Sequence, residues 1–253
     1  MIRTDEVTSN LIYDRLAESY GSDAQQNTTT RLTNELIAKY TKKTDRVIDF
    51  GCANGVHIKS VAPLCASIVG IDINEKMLGT AADHCKQFGI DNVTLHQCSA
   101  MSIDFPDEYF NLAYAFSILL LVPDTLKAIE EMVRVTKTGG LVVLDITGRY
   151  NLSKWHWSRY YQKQGHFGIN AFSHAEILGY LQQIGLQMLE EHALGFTDQW
   201  KYIPLLGRCH FIDKIFHSRM LRDLDYLISN NRIIYGLANR WFIVCRKRSL
   251  DNS

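Results

Sequence analysis

Short β-rich runs alternate with segments of helical periodicity along most of this chain, and that alternation limits what it can fold into. The runs are 46–50 (RVIDF), 67–71 (SIVGI), 92–97 (NVTLHQ), 110–116 (FNLAYAF) and 141–146 (LVVLDI). Helical segments fall at 56–64, 74–88 and 124–138. In the last of these Leu126, Ile129, Met132 and Val133 make an apolar stripe, Glu130 and Arg134 lie off it at i,i+4, and Gly139–Gly140 ends it. Parallel strands need crossovers of this length, so the pattern predicts βαβ units in an α/β domain. Right-handed crossovers then place helices on both faces of a mainly parallel sheet.

The flanks extend this frame. Leu11, Ile12, Leu16 and Tyr20 predict a lead helix over 9–20, and a second helix runs from Arg31 to Lys39 after the polar, turn-like 21–30. An irregular stretch, 147–172, follows the fifth strand. The capping box SHAE (173–176) opens a helix to Ile184, with Gly185 as its stop. Leu186–Leu194 and Trp241–Arg246 are the sixth and seventh strands. The 195–239 segment is too long for a hairpin loop and has helical patches near 211–229, so it reads as a cap inserted before the last strand. The expected boundaries are 1–45, 46–194, 195–238 and 239–253.

Composition narrows the function classes. Twenty-seven Lys+Arg balance 27 Asp+Glu, which gives no whole-chain pull toward nucleic acid or an anionic membrane. The longest apolar run, 118–122 (ILLLV), is far short of the ~20 residues of a membrane span. No basic segment followed by an apolar run opens the chain. Six cysteines without CxxC or Cys/His spacing predict reduced thiols, a cytoplasmic protein and no zinc.

Open α/β sheets bind ligands beyond the carboxyl ends of their strands. The first strand ends in Asp49, Phe50, Gly51, Cys52, Ala53, Asn54 and Gly55, where glycines allow positive φ and close backbone approach. The second ends in Gly70, Ile71, Asp72, Ile73 and Asn74. Asp72 stands about 20 residues beyond the glycine turn, placed to accept hydrogen bonds from a ribose diol. Helix capping is the alternative role for Asp72 and Asn74. The dinucleotide fingerprint GxGxxG fails twice, at Ala53 and Val56.

Together VIDFGCANG (47–55), GIDIN (70–74), FPDEYFNLAYAFSILLLVPD (105–124), AIEEMVRVTKTGGLVVLD (128–145) and YDRLAESY (13–20) resemble the class I S-adenosylmethionine-dependent methyltransferases, particularly the small-molecule subgroup. The resemblance implies a Rossmann-like, seven-stranded mainly parallel sheet. It implies S-adenosyl-L-methionine as cofactor, with S-adenosyl-L-homocysteine as product, bound over Gly51, Cys52, Ala53, Asn54 and Gly55. By the same resemblance Asp49 faces the methionine amino group through the loop and Asp72 holds the ribose. Ile73, Met77 and Met101 flank adenine beside Ala100, while Ala115, Phe116 and Ser117 line the methyl side and Tyr20 belongs to a lid. Three positions depart from the pattern: Ala53 replaces a glycine, ILLLVPD lacks a histidine, and Ser99 stands where an adenine-binding aspartate is common, where its hydroxyl is expected to keep a weaker adenine contact or else to cap a turn.

For the acceptor the expectation is a small organic molecule, methylated on a hydroxyl or an amine. Asp145, closing the fifth strand, and His156, within WHWSRYY (155–161), are the candidate bases; His166 and His174 are weaker ones. Tyr13, Trp155, Trp157, Tyr202 and Arg208 are candidates for acceptor binding. Residues 200–236 carry six Lys/Arg against three Asp, a surplus suited to a carboxylate or phosphate. A protein acceptor, or a non-catalytic module that keeps the fold, are the alternative readings.

Overall fold

A computed structural model describes residues 4–16, 28–196, 219–231 and 233–249. The elements in order are α1 (Thr4–Leu16), α2 (Thr28–Tyr40), β1 (Arg46–Phe50), α3 (Ile58–Val61), β2 (Ser67–Asp72), α4 (Glu75–Gln87), β3 (Val93–Gln97) and β4 (Phe110–Ala115). They continue as α5 (Thr125–Val135), β5 (Thr136–Thr147), α6 (Leu152–Gln162), α7 (His174–Gln183), β6 (Leu186–Leu194), α8 (Arg219–Ser229) and β7 (Arg240–Lys247).

Seven strands form one sheet in the order β3-β2-β1-β4-β5-β7-β6. The pairs β1·β2, β1·β4, β2·β3 and β4·β5 are parallel, whereas β7 runs antiparallel to both β5 and β6. The chain leaves β1 toward one edge and returns on its other side as β4. That reversal opens a crevice between the two strand ends. Both faces of the central strands are buried, so successive residues serve different cores. Ile48, Phe50, Leu144 and Ile243 pack with Ile129 and Met132 of α5 and Ile177 of α7. Val47, Leu112, Tyr114 and Val244 pack with Leu36 and Ile37 of α2, Ile58 of α3 and Leu78 of α4.

Several local expectations need correction. The helix placed at 124–138 stops at Val135, and Thr136 already pairs with Phe110. The next pairing is Leu112 with Leu141, so β5 bulges between them. Gly139–Gly140 therefore builds the bulge instead of ending a helix: Gly139 has φ +79°. Arg134 does not pair with Glu130; it binds Glu131, Asp107 and the carbonyls of Ile103 and Phe105, while Glu130 accepts from Tyr180. The irregular 147–172 contains α6, whose N-cap Asn151 accepts from the Lys154 amide at 2.7 Å. The lead helix starts at Thr4, five residues before its expected start, and α2 at Thr28. Tyr20 lies outside the described residues.

A Cβ on Gly140 would stand 2.8 Å from the carbonyl oxygens of both Asn111 and Lys137. These are backbone atoms of the bulge and its partner strand, which yield less readily than a side chain. Gly140→Ala is expected to lower unfolding free energy by about 1–3 kcal/mol; urea denaturation measures it, and an unchanged midpoint would contradict the tight bulge.

Candidate active site

Three left-handed residues shape the turn after β1: Gly51 (φ +70°), Ala53 (φ +46°) and Gly55 (φ +79°). Ala53 pays roughly 1 kcal/mol for a conformation that glycine adopts freely. A hydrogen bond holds it there. The Ala53 amide donates to Asp72 Oδ2 at 2.9 Å, and the Asn74 amide donates to Asp72 Oδ1 at 2.9 Å. Asp72 thus ties the β1 turn to the end of β2. Burial raises its pKa, opposed by the Asn74 and Ala53 amides. The helix-capping role falls to Asn74 alone, whose Oδ1 accepts from the Met77 amide at 2.8 Å.

Beyond this turn a cleft runs along the carboxyl edge of the sheet. Gly51 and Ala53 line its floor, with Ile71, Asp72 and Ile73 from β2 and its end. Met77 of α4, Cys98 and Ala100 line one end; Phe116, Ser117, Ile118 and Leu121–Pro123 line the other. The helix α1 crosses the cleft and contributes Glu6, Ser9 and Tyr13, three residues on one helical face. It is pinned by polar contacts. Asn74 Nδ2 donates to the Asn10 carbonyl (3.0 Å) and Asp14 Oδ1 (2.9 Å), and Ser99 Oγ donates to Glu6 Oε1. Ser9 Oγ bonds His166 Nε2 at 2.9 Å, while His166 Nδ1 sits 2.8 Å from the Gly168 carbonyl.

Two buried carboxylates lie beneath the cleft. Burial pushes the Asp49 carboxyl up to about 8; the nearby Tyr114 hydroxyl opposes the rise and the charge of Asp72 adds to it. Neither Asp49 Oδ2 nor the Tyr114 hydroxyl makes a hydrogen bond of good geometry. Asp145 is paired instead: Arg240 bridges to its Oδ2, and the Ser117 amide donates to its Oδ1 at 2.7 Å. Arg240 also donates to Ser117 Oγ at 2.8 Å, where Ser117 holds φ +61°.

The sequence-derived residues divide accordingly. Gly51, Ala53, Asp72, Ile73, Met77, Ala100, Phe116, Ser117 and Tyr13 line the cleft. Met101 and Ala115 are buried in the main core instead. Cys52 is buried on the other side of the sheet, beneath Gly70. Asn54 turns its carbonyl to His84 Nδ1 (2.9 Å), and the Gly55 amide closes the turn on the Cys52 carbonyl (2.9 Å). Ser99 is committed to Glu6 and to the Met101 amide (3.2 Å).

The candidate bases fare worse. Asp145 has its oxygens engaged by Arg240 and Ser117 and does not line the cleft. His156, Trp155 and Trp157 are exposed on α6 and do not line it either. His174 binds Glu191 at 2.9 Å beside a capping box that forms as expected between Ser173 and Glu176. Tyr202 and Arg208 lie outside the described residues.

Sequence reasoning missed Glu6, Ser9, Arg240 and the apolar wall. The wall had a signal: the run 118–122 followed by Pro123 is that wall. Asn170 holds it in place, its amide donating to the Leu120 carbonyl (2.8 Å) and its side chain to the Val122 carbonyl (2.6 Å).

A profile of the methyltransferase domain matches residues 41–192, the span from the end of α2 through most of β6. The chain belongs to the methyltransferase-domain family. Two solved structures of similar fold, each 18% identical, were determined with S-adenosyl-L-homocysteine or SAM bound, the cofactor expected from the sequence. A ubiquinone biosynthesis O-methyltransferase of Methylococcus capsulatus is 31% identical over 105 residues, covering 41% of this chain and 44% of the relative. The chain spans about half the length of the first curated relatives it matches. Among solved structures, the [4+2]-cyclase SpnF superposes with a TM-score of 0.66 over 95% of both chains, at 21% identity. A geranyl diphosphate C-methyltransferase from Streptomyces coelicolor A3(2), solved with S-adenosyl-L-homocysteine, gives a TM-score of 0.60 at 18% identity, over 86% of this chain and 79% of that one. At such identities the likeness concerns the fold.

The turn fits this cofactor on structural grounds. A Cβ on Gly51 would stand 2.8 Å from the Ile118 side chain, so side-chain bulk here would crowd the floor of the cleft. Below lies the orphaned Asp49 oxygen, an acceptor suited to positive charge. Without a ligand the carboxyl is a liability. Because its folded pKa is raised, its contribution to stability is fully present below about pH 4 and is lost as pH rises through about 8. Asp49→Asn is therefore expected to lose less stability than wild type between pH 5 and pH 8.5, by about 1–3 kcal/mol. Urea unfolding at the two pH values measures the difference, and parallel losses would contradict the buried, uncompensated carboxyl.

Proposed function

We propose that the protein transfers the methyl group of S-adenosyl-L-methionine to a hydroxyl or amine of a small organic acceptor. The observation that carries this reading is one continuous cleft. It joins the Asp72-fastened turn to an apolar wall of Phe116, Ile118, Leu121, Val122 and Pro123 beneath α1. When bound, the cofactor supplies a sulfonium methyl, a strong electrophile with a neutral leaving group.

The chain's own residues then have three tasks. Asp72 keeps lone pairs beyond those used by the Ala53 and Asn74 amides, and these accept the ribose hydroxyls. The Gly51–Gly55 turn holds the methionine portion, with Asp49 below it balancing the ammonium. The apolar wall and Tyr13 exclude water and hold the acceptor in line, which is where most of the rate gain of such a reaction originates. An acceptor hydroxyl would give its proton to a group other than Asp145, which Arg240 engages.

Relatives support both acceptor atoms. One matched protein is the O-methyltransferase of ubiquinone biosynthesis, and another, 33% identical over 100 residues, is a phosphatidylethanolamine N-methyltransferase of Cereibacter sphaeroides. The reading assigns the acceptor side to 147–172 and to the 195–239 insertion, of which 197–218 lie outside the described residues.

Asp72→Ala removes the ribose acceptor and the support for Ala53 together. Binding of S-adenosyl-L-methionine is expected to weaken at least about tenfold, the equivalent of about 1.4 kcal/mol. Calorimetric titration reads this directly, and wild-type affinity in the variant would overturn the ribose placement. Transfer of labelled methyl to fractionated metabolites separates a small acceptor from a protein one.

A further inference from the structure

The end of the cleft near β3 is apolar except for one carboxylate. Ile73, Met77, Cys98 and Ala100 supply its walls, and Glu6 of α1 enters it from above. Glu6 is 5% exposed although it belongs to the first helix of the chain. A carboxylate is placed at such a depth only with hydrogen-bond support, and Ser99 provides it by donating to Glu6 Oε1. The arrangement sets a direction. The single hydroxyl proton of Ser99 is spent on Glu6, and the Ser99 oxygen in turn accepts from the Met101 amide at 3.2 Å. Ser99 thus acts as the holder of a carboxylate. An ionised carboxylate has about four lone-pair positions, so Glu6 keeps acceptor capacity toward the cleft.

Asp72 fixes where a nucleoside must lie. In the placement proposed above, ribose hydroxyls held by Asp72 would bring the base to the slot between Ile73, Met77 and Ala100, which Glu6 also lines. We infer that Glu6 accepts a hydrogen bond from the 6-amino group of the adenine, so that the base is read by α1 and not by the sheet edge. The inference rests on the cofactor placement proposed above and adds the residue that selects an amino purine. A 6-oxo purine in the same slot would set its carbonyl lone pairs against the carboxylate, which costs more than the loss of a bond. Specificity for the base and docking of α1 then become one event, because the reading residue arrives with the helix.

The test compares S-adenosyl-L-homocysteine with its 6-oxo analogue, S-inosyl-L-homocysteine, by calorimetric titration of the full chain. Wild type is expected to prefer the amino ligand by about tenfold to a hundredfold, the range for one hydrogen bond to a charged group. Glu6→Ala should reduce the preference to within about threefold, chiefly by weakening the amino ligand. Ser99→Ala leaves the carboxylate but removes the hydroxyl that orients it, and should give an intermediate preference. Asp72→Ala should weaken both ligands alike and leave the preference intact.

Full preference retained in Glu6→Ala would overturn the inference, as would equal weakening of both ligands, which marks a purely structural helix contact. Failure of wild type to bind either ligand would instead sink the cofactor reading, and this inference with it.

Discussion

The ion pair between Arg240 and Asp145 underlies the geometry of the apolar end of the cleft. It joins the beginning of β7 to β5, and through Ser117 it reaches the end of β4. Topology makes the pairing possible. Every parallel strand ends at the functional edge, whereas antiparallel β7 starts there and delivers its first residue, Arg240, from the opposite direction. Asp145 is removed from water, and loss of Arg240 would leave its charge without a counter-ion at a cost of about 3–5 kcal/mol. The reward is positional. Ser117 is held in a left-handed conformation that a serine rarely adopts, between Phe116 and Ile118 of the apolar wall.

Much of this architecture was legible in the residues. Period-2 runs and intervening helices gave the sheet, and Asp72 emerged from its distance to the glycine turn. The errors share a physical origin. Helix α6 was read as irregular because its face is aromatic and exposed, so it shows no apolar stripe, although Asn151 marks its start. The double glycine after α5 has the composition of a helix stop, yet its role depends on the pairing of β5 with β4, a contact between distant segments. Asp145 looked available because sequence places it at a strand end, and nothing local announces that residue 240 will neutralise it.

The fold itself does not decide the chemistry. A cyclase and a C-methyltransferase share its outline at low identity, so what this chain does follows from its particular side chains. Here one end of the cleft is polar and tightly fastened, through Asp72, Asn74, Ser99 and Glu6. The other end is apolar and held from behind by Asn170 and the Arg240 pair. Recognition at a polar end rests on hydrogen bonds whose loss is costly, and at an apolar end on shape, which discriminates less sharply between related molecules.

The partner strands β6 and β7 have a consequence for how such a protein can vary. Leu194 and Arg240 face each other in register at the functional edge, so the chain leaves the sheet and re-enters it at a single point. Closing a longer loop between two fixed ends costs only about 0.6 kcal/mol per doubling of its length. Segments of different size and character can therefore be spliced in at this point without moving a strand or the glycine turn. An insertion at that point can change length while the strands on either side keep their register.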